Sequence, residues 1–123
     1  MFDEKSELRT IGKQVFNSCR NLVRINLPAG LESIELSAFN HCKSLKNIQL
    51  PERLEKIGIC CFQWSGLEEI VLPRSMKEVG ASAFYGCEQL KNVKLNEGLE
   101  KLGEEETPDG SKWEGYVFYG IAI

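Results

Sequence analysis

The chain has 123 residues, a net charge of −3 and 27% charged residues, with both signs mixed along its length and no basic block, a pattern that argues against a nucleic-acid partner. No apolar run approaches the roughly 18 residues needed to cross a bilayer, so membrane insertion is not expected. The opening MFDEKSELRT has neither the basic start nor the apolar core of a secretion signal, and any such signal would lie outside this chain.

The length is one domain's worth, and that domain is internally periodic. Residues 2–6 read as the tail of an earlier strand unit. Repeat one runs over 8–30 (LRTIGKQVFNSCRNLVRINLPAG) and repeat two over 31–53 (LESIELSAFNHCKSLKNIQLPER). Repeat three covers 54–75 (LEKIGICCFQWSGLEEIVLPRS) and is one residue shorter, after Phe62. Repeat four covers 76–98 (MKEVGASAFYGCEQLKNVKLNEG), and a degenerate fifth unit occupies 99–123. A period of 22–23 residues with recurring leucine columns is the signature of a solenoid, in which each unit buries its apolar face only against its neighbours.

Within a unit, L-x-x-I-x-L-P, as in Leu22, Ile25 and Leu27 before Pro28, alternates apolar and polar residues and predicts a short half-buried strand. Stacked at about 4.8 Å, such strands would form a parallel sheet along the array. Pro28, Pro51 and Pro73 end the strand because proline has no N–H for the ladder. Asn96 takes that place in repeat four and suits a turn equally well. The following L-x-x-I-G segment predicts a second short extended piece on the opposite wall. Glycines 12, 58, 80 and 103 in that column point to a positive φ or a tight bend, with Glu35 as the exception. The A-F-x-x-C-x-x-L portion predicts a turn of α- or 3₁₀-helix. Its column Phe16, Phe39, Phe62 and Phe84 would form an aromatic spine.

The fifth unit is broken by an insert over 104–116. The Gly-to-Phe interval grows from 4 residues (Gly80 to Phe84) to 15 (Gly103 to Phe118), so 11 residues are added. Pro108-Asp109-Gly110 is a turn signal flanked by hairpin-like segments, and Val117–Gly120 restores the pattern.

Four of the five cysteines fall into repeat columns, Cys19, Cys42 and Cys87 in one and Cys61 in place of a small apolar residue in another, while Cys60 and Cys61 alternate faces and cannot chelate as a unit. The cysteines read as buried hydrophobes, although Cys19 and Cys42 in adjacent layers stand close enough to oxidise. No C-x-x-C or paired histidine predicts a metal site. His41, the one histidine, points outward where Cys42 points in, so a Cys–His nucleophile is not expected. No phosphate loop is present, and Glu68-Glu69 and Glu104–Glu106 read as solvated. The expectation is no catalytic residue, no cofactor, no metal and no enzyme.

The pattern I-G-x-x-A-F-x-x-C-x-x-L-x-x-I-x-L-P, nearly whole in Ile11–Pro28 and Ile34–Pro51, resembles the BspA-like (Treponema-type) leucine-rich repeat. The resemblance covers residues 8–103 and resumes at 117–123. It implies an α/β-type solenoid, a right-handed superhelix with a parallel concave sheet, short strands, and 3₁₀ or helical turns opposite. It also implies non-catalytic binding, on the cell surface or in secreted proteins, with adhesion to a host surface or matrix, or cell–cell contact. The family shares no catalytic residues.

The residues that should point away from the core on the strand wall are Arg24 and Asn26, Asn47 and Gln49, Glu69 and Val71, and Asn92 and Lys94. These two amide-rich columns predict an extended surface for a protein or glycan. Trp113 and Tyr116 in the insert offer a second candidate, as a binding loop or as a cap on the last repeat. Uncapped ends would also allow self-association. The alternative role is a structural segment of a larger repeat protein with no ligand of its own.

Overall fold

The computed structural model describes residues 7–106, 112–114 and 117. The strands are β1 (Thr10–Ile11), β2 (Ser33–Ile34), β3 (Lys56–Ile57), β4 (Glu69–Val71), β5 (Glu78–Val79), β6 (Asn92–Lys94), β7 (Lys101–Leu102), β8 (Glu104–Glu106) and β9 (Lys112–Glu114). β1-β2-β3-β5-β7 form one parallel sheet, in which each repeat's isoleucine column pairs with the next: Ile11 with Ile34, Ile34 with Ile57, Ile57 with Val79, and Val79 with Leu102. The chain is a solenoid of stacked layers with its core running along the stack.

The longest sheet belongs to the L-x-x-I-G segments, not to the segments ending in proline. On that second wall only β4 and β6 pair, parallel, with Glu69 opposite Asn92 and Val71 opposite Lys94. Residues 24–26 and 47–49 carry no ladder, and layers two and three are joined there by bonds such as Glu68 N–H to Lys46 C=O at 2.8 Å.

The expected helical turns are absent among the described residues, and the reason is a pair of left-handed columns. Gln14, Ser37, Cys60 and Ser82 have φ of 54–60°, two residues before the phenylalanine of their layer. Ser18, His41, Trp64 and Gly86 have φ of 58–70°, two residues after it. A right-handed helix cannot pass through such residues, which cost about 1–2 kcal/mol each unless glycine. The corner instead donates its N–H groups across layers: Phe16 to Ala38, Phe39 to Cys61 and Phe62 to Ala83, at 2.8–2.9 Å.

The expected positive φ in the 12, 58, 80, 103 column holds only at Gly103, at 72°. At Gly58 and Gly80 the constraint is close approach between layers. A Cβ on Gly80 would stand 2.5 Å from Ile59 N, and one on Gly58 would stand 2.6 Å from the Glu35 carbonyl carbon.

The phenylalanine spine is present. Ring centroids step by 5.2 Å (Phe16 to Phe39), 5.3 Å (Phe39 to Phe62) and 5.6 Å (Phe62 to Phe84), with planes within 12°. Phe39, Phe62 and Phe84 are fully buried together with Leu31, Ile34, Leu45, Leu54, Ile57, Leu67 and Leu90. Asn96, in the place of the missing proline, donates Nδ2 to Met76 C=O (2.8 Å) and Arg74 C=O (3.4 Å) at the junction of repeats three and four.

The insert is an antiparallel hairpin, β8 on β9, with Glu105 opposite Trp113. Past it, buried Val117 accepts the Phe84 N–H at 3.0 Å, the bond that Ala83 accepts from Phe62 one layer earlier. The repeat register therefore resumes at Val117. The Pro108–Gly110 turn, Tyr116 and Phe118 lie outside the described residues.

Candidate functional site

The outward columns stand where alternation placed them. Arg24, Asn26, Asn47, Gln49, Glu69, Val71, Asn92 and Lys94 are all exposed, while the intervening Ile25, Ile48 and Ile70 are buried. The polar side chains of this set make no hydrogen bond and no ion pair within the described structure. Trp113 lies in β9, away from these columns in sequence, and Tyr116 lies outside the described residues.

Three open hollows join along this wall. Asn26, Gln49 and Glu52 line the first (about 320 Å³), and Gln49, Glu52, Glu69 and Val71 the second (about 460 Å³). Glu52, Val71, Arg74, Lys94, Leu95 and Asn96 line the third (about 770 Å³). Shared rim residues, Glu52 above all, make them one trough running from repeat one to repeat four, between the strand columns and the proline turns. The turn residues Glu52 and Arg74 belong to this surface, although strand alternation alone does not select them, and so does Leu95, which alternation places inward with Leu27, Leu50 and Leu72 but which is 45% exposed. What could have revealed them is their place beside Pro51, Pro73 and Asn96 in the repeat columns.

Charge is distributed differently on the two walls. Beside the five-stranded sheet, carboxylates meet cations of an adjacent layer: Arg9 with Glu32 at 3.8 Å, Glu55 with Lys77 at 2.9 Å, and Glu78 with Lys101 at 3.8 Å. Along the trough, Glu52, Glu69, Arg74 and Lys94 are unpaired among the described residues.

The cysteine column is built for packing. Cys42 is fully buried and donates its thiol to Phe16 C=O at 3.1 Å, and burial pushes its pKa up to about 11. Cys87 donates to Phe62 C=O at 3.0 Å, and burial raises its pKa too, as it does that of Cys61. Thiols held this way are protonated at neutral pH and are poor nucleophiles. All five cysteines are free. His41 turns to Trp64, ring centroids 6.4 Å apart, and Trp64 meets Tyr85 edge-on at 5.5 Å. This outer aromatic ladder went unread in the sequence because its members occupy two different columns.

Residues 5–106 match the model of the BspA type leucine rich repeat region, in 6 copies. Among solved structures, the chain is similar to a leucine-rich repeat protein from Bacteroides ovatus, with 37% identity and a TM-score of 0.69 over 71% of this chain and 23% of that one. It is also similar to the T. pallidum leucine rich repeat protein, with 37% identity and a TM-score of 0.70 over 77% of this chain and 51% of that one. The chain thus spans about a quarter of the first relative and about half of the second. No curated protein matches it.

Proposed function

The chain belongs to the BspA type leucine-rich repeat family, and from that premise we propose that it is a non-catalytic module that binds a protein or glycan through the wall bearing Asn26, Asn47, Gln49, Glu69 and Asn92, in surface adhesion or protein–protein interaction. The observation that carries this reading is the row of exposed amides and charges left without partners among the described residues along one trough, whereas the other wall holds three ion pairs between layers. A buried core holds the backbone of each layer, so these side chains are presented in fixed register, as recognition over an extended surface requires. The buried thiols, whose protons point at backbone carbonyls, support the non-catalytic part of the reading.

The test is the triple variant N47A/E69A/N92A, compared with wild type on arrays of matrix proteins and printed glycans. Loss of a captured partner by the variant, with unchanged circular dichroism, is the expected result. A partner captured equally well by both proteins would refute the assignment to this wall.

A further inference from the structure

We infer that the trough takes an extended polypeptide segment carrying a lysine or arginine, a specification that rests on the binding role proposed above. Its floor and rim supply Asn26, Asn47 and Gln49, each with a free donor and a free acceptor in one side chain. That pairing matches the alternating N–H and C=O of a peptide main chain. Interlayer steps of 5.2, 5.3 and 5.6 Å set the four-layer trough at about 16 Å, which accommodates about five residues at roughly 3.3 Å each.

Charge sets the side chain. Glu52 and Glu69 line the central hollow with no cation among its lining residues, and neither is paired elsewhere among the described residues. A cationic side chain of the partner would find two carboxylates there. The hollow beyond sets Arg74 and Lys94 against Glu52 and Glu97 around exposed Val71 (54%) and Leu95 (45%), a charge-balanced seat for an apolar residue. Among the described residues no aromatic ring lines any of the three hollows, which removes the stacking surface that a proline-rich helix uses. The amides and carboxylates address a main chain and a cation instead.

Selection of phage-displayed linear heptapeptides on the wild-type protein, with E52Q/E69Q as counter-target, tests the inference. The enriched peptides should carry a lysine or arginine. As synthetic peptides they should bind E52Q/E69Q on the order of tenfold more weakly, bind E55Q on the other wall unchanged, and weaken as salt rises. Enrichment without basic residues, or equal binding to E52Q/E69Q, overturns it. If matrix proteins or glycans bind in a way that N47A/E69A/N92A abolishes while no heptapeptide is selected, the peptide assignment falls and the binding wall stands. If no probe responds to either variant, both fall.

Discussion

Phe62→Ala removes the ring at the centre of the spine. Phe62 is fully buried between Phe39 at 5.3 Å and Phe84 at 5.6 Å, with planes within 4° of both. Its neighbours cannot slide together to fill the gap, because each layer is fixed by corner bonds at 2.8 Å, from Phe39 N–H to Cys61 C=O and from Phe62 N–H to Ala83 C=O. The loss should therefore sit within the usual range for Phe→Ala in a core that keeps its cavity, roughly 3–5 kcal/mol. Among the described residues Phe16 stacks on one ring only, and it is half-buried, so F16A should cost about half as much. Urea unfolding followed by circular dichroism reads both. With a slope near 2 kcal/mol per molar, F62A should lower the midpoint by roughly 2 M and F16A by about 1 M. Equal shifts for the two variants, or a loss below about 1 kcal/mol for F62A, would refute the layered account of the core.

Gly80→Ala should destabilise by roughly 1–3 kcal/mol, because the new methyl would meet backbone atoms at 2.5–2.8 Å. Gly12→Ala should be nearly neutral, since its nearest neighbour is Val15 Cγ2 at 3.5 Å; paired melting curves decide this. Iodoacetamide at neutral pH followed by mass spectrometry should label half-buried Cys19 and Cys60, and reach Cys42, Cys61 and Cys87 only after unfolding. The raised Cys42 pKa also fixes a sign. Its thiolate is disfavoured in the folded protein, so the stability it contributes is complete below about pH 9 and is lost as pH rises towards about 11. Cys42→Ser, which keeps a donor for Phe16 C=O but does not titrate there, should flatten that part of the pH–stability curve.

The stacking was legible because every layer must bury the same stripe. Leu31, Ile34, Phe39, Cys42 and Leu45 recur in kind, and all are fully buried. The helix was misread for a physical reason. Apolar residues every three positions, Phe39, Cys42 and Leu45, fit a 3₁₀ turn, and the i→i+3 bonds are present: Cys42 N–H to Phe39 C=O and Leu45 N–H to Cys42 C=O. What interrupts it is the positive φ of His41 between them, in a column that holds Ser18, His41 and Trp64 and shows glycine only at Gly86. The glycine column misled in the opposite way, since Gly58 and Gly80 yield to a neighbouring backbone and not to a dihedral. On the site, alternation gave the exposed columns. The trough needed the turns, because Glu52 and Arg74 join the strand residues only once the layers are stacked.

The two walls divide the work of the solenoid, and the division can be tested on stability alone. Pairs such as Glu55–Lys77 sit on the wall with the continuous sheet, where the register of Lys56 on Glu78 already fixes the layers. Exposed pairs of this kind are worth about 0–1 kcal/mol each and reinforce an alignment that the backbone has made. Among the described residues Glu52 and Glu69 touch no cation, and both are exposed, so the fold gains nothing there from their charge. E52K/E69K should leave the urea midpoint within the roughly 0.5 kcal/mol typical of surface substitutions, while abolishing capture of any lysine- or arginine-bearing peptide selected on the wild type. A loss of stability above about 1 kcal/mol would mean that these carboxylates serve the stack, and their lack of partners would then no longer point to a ligand.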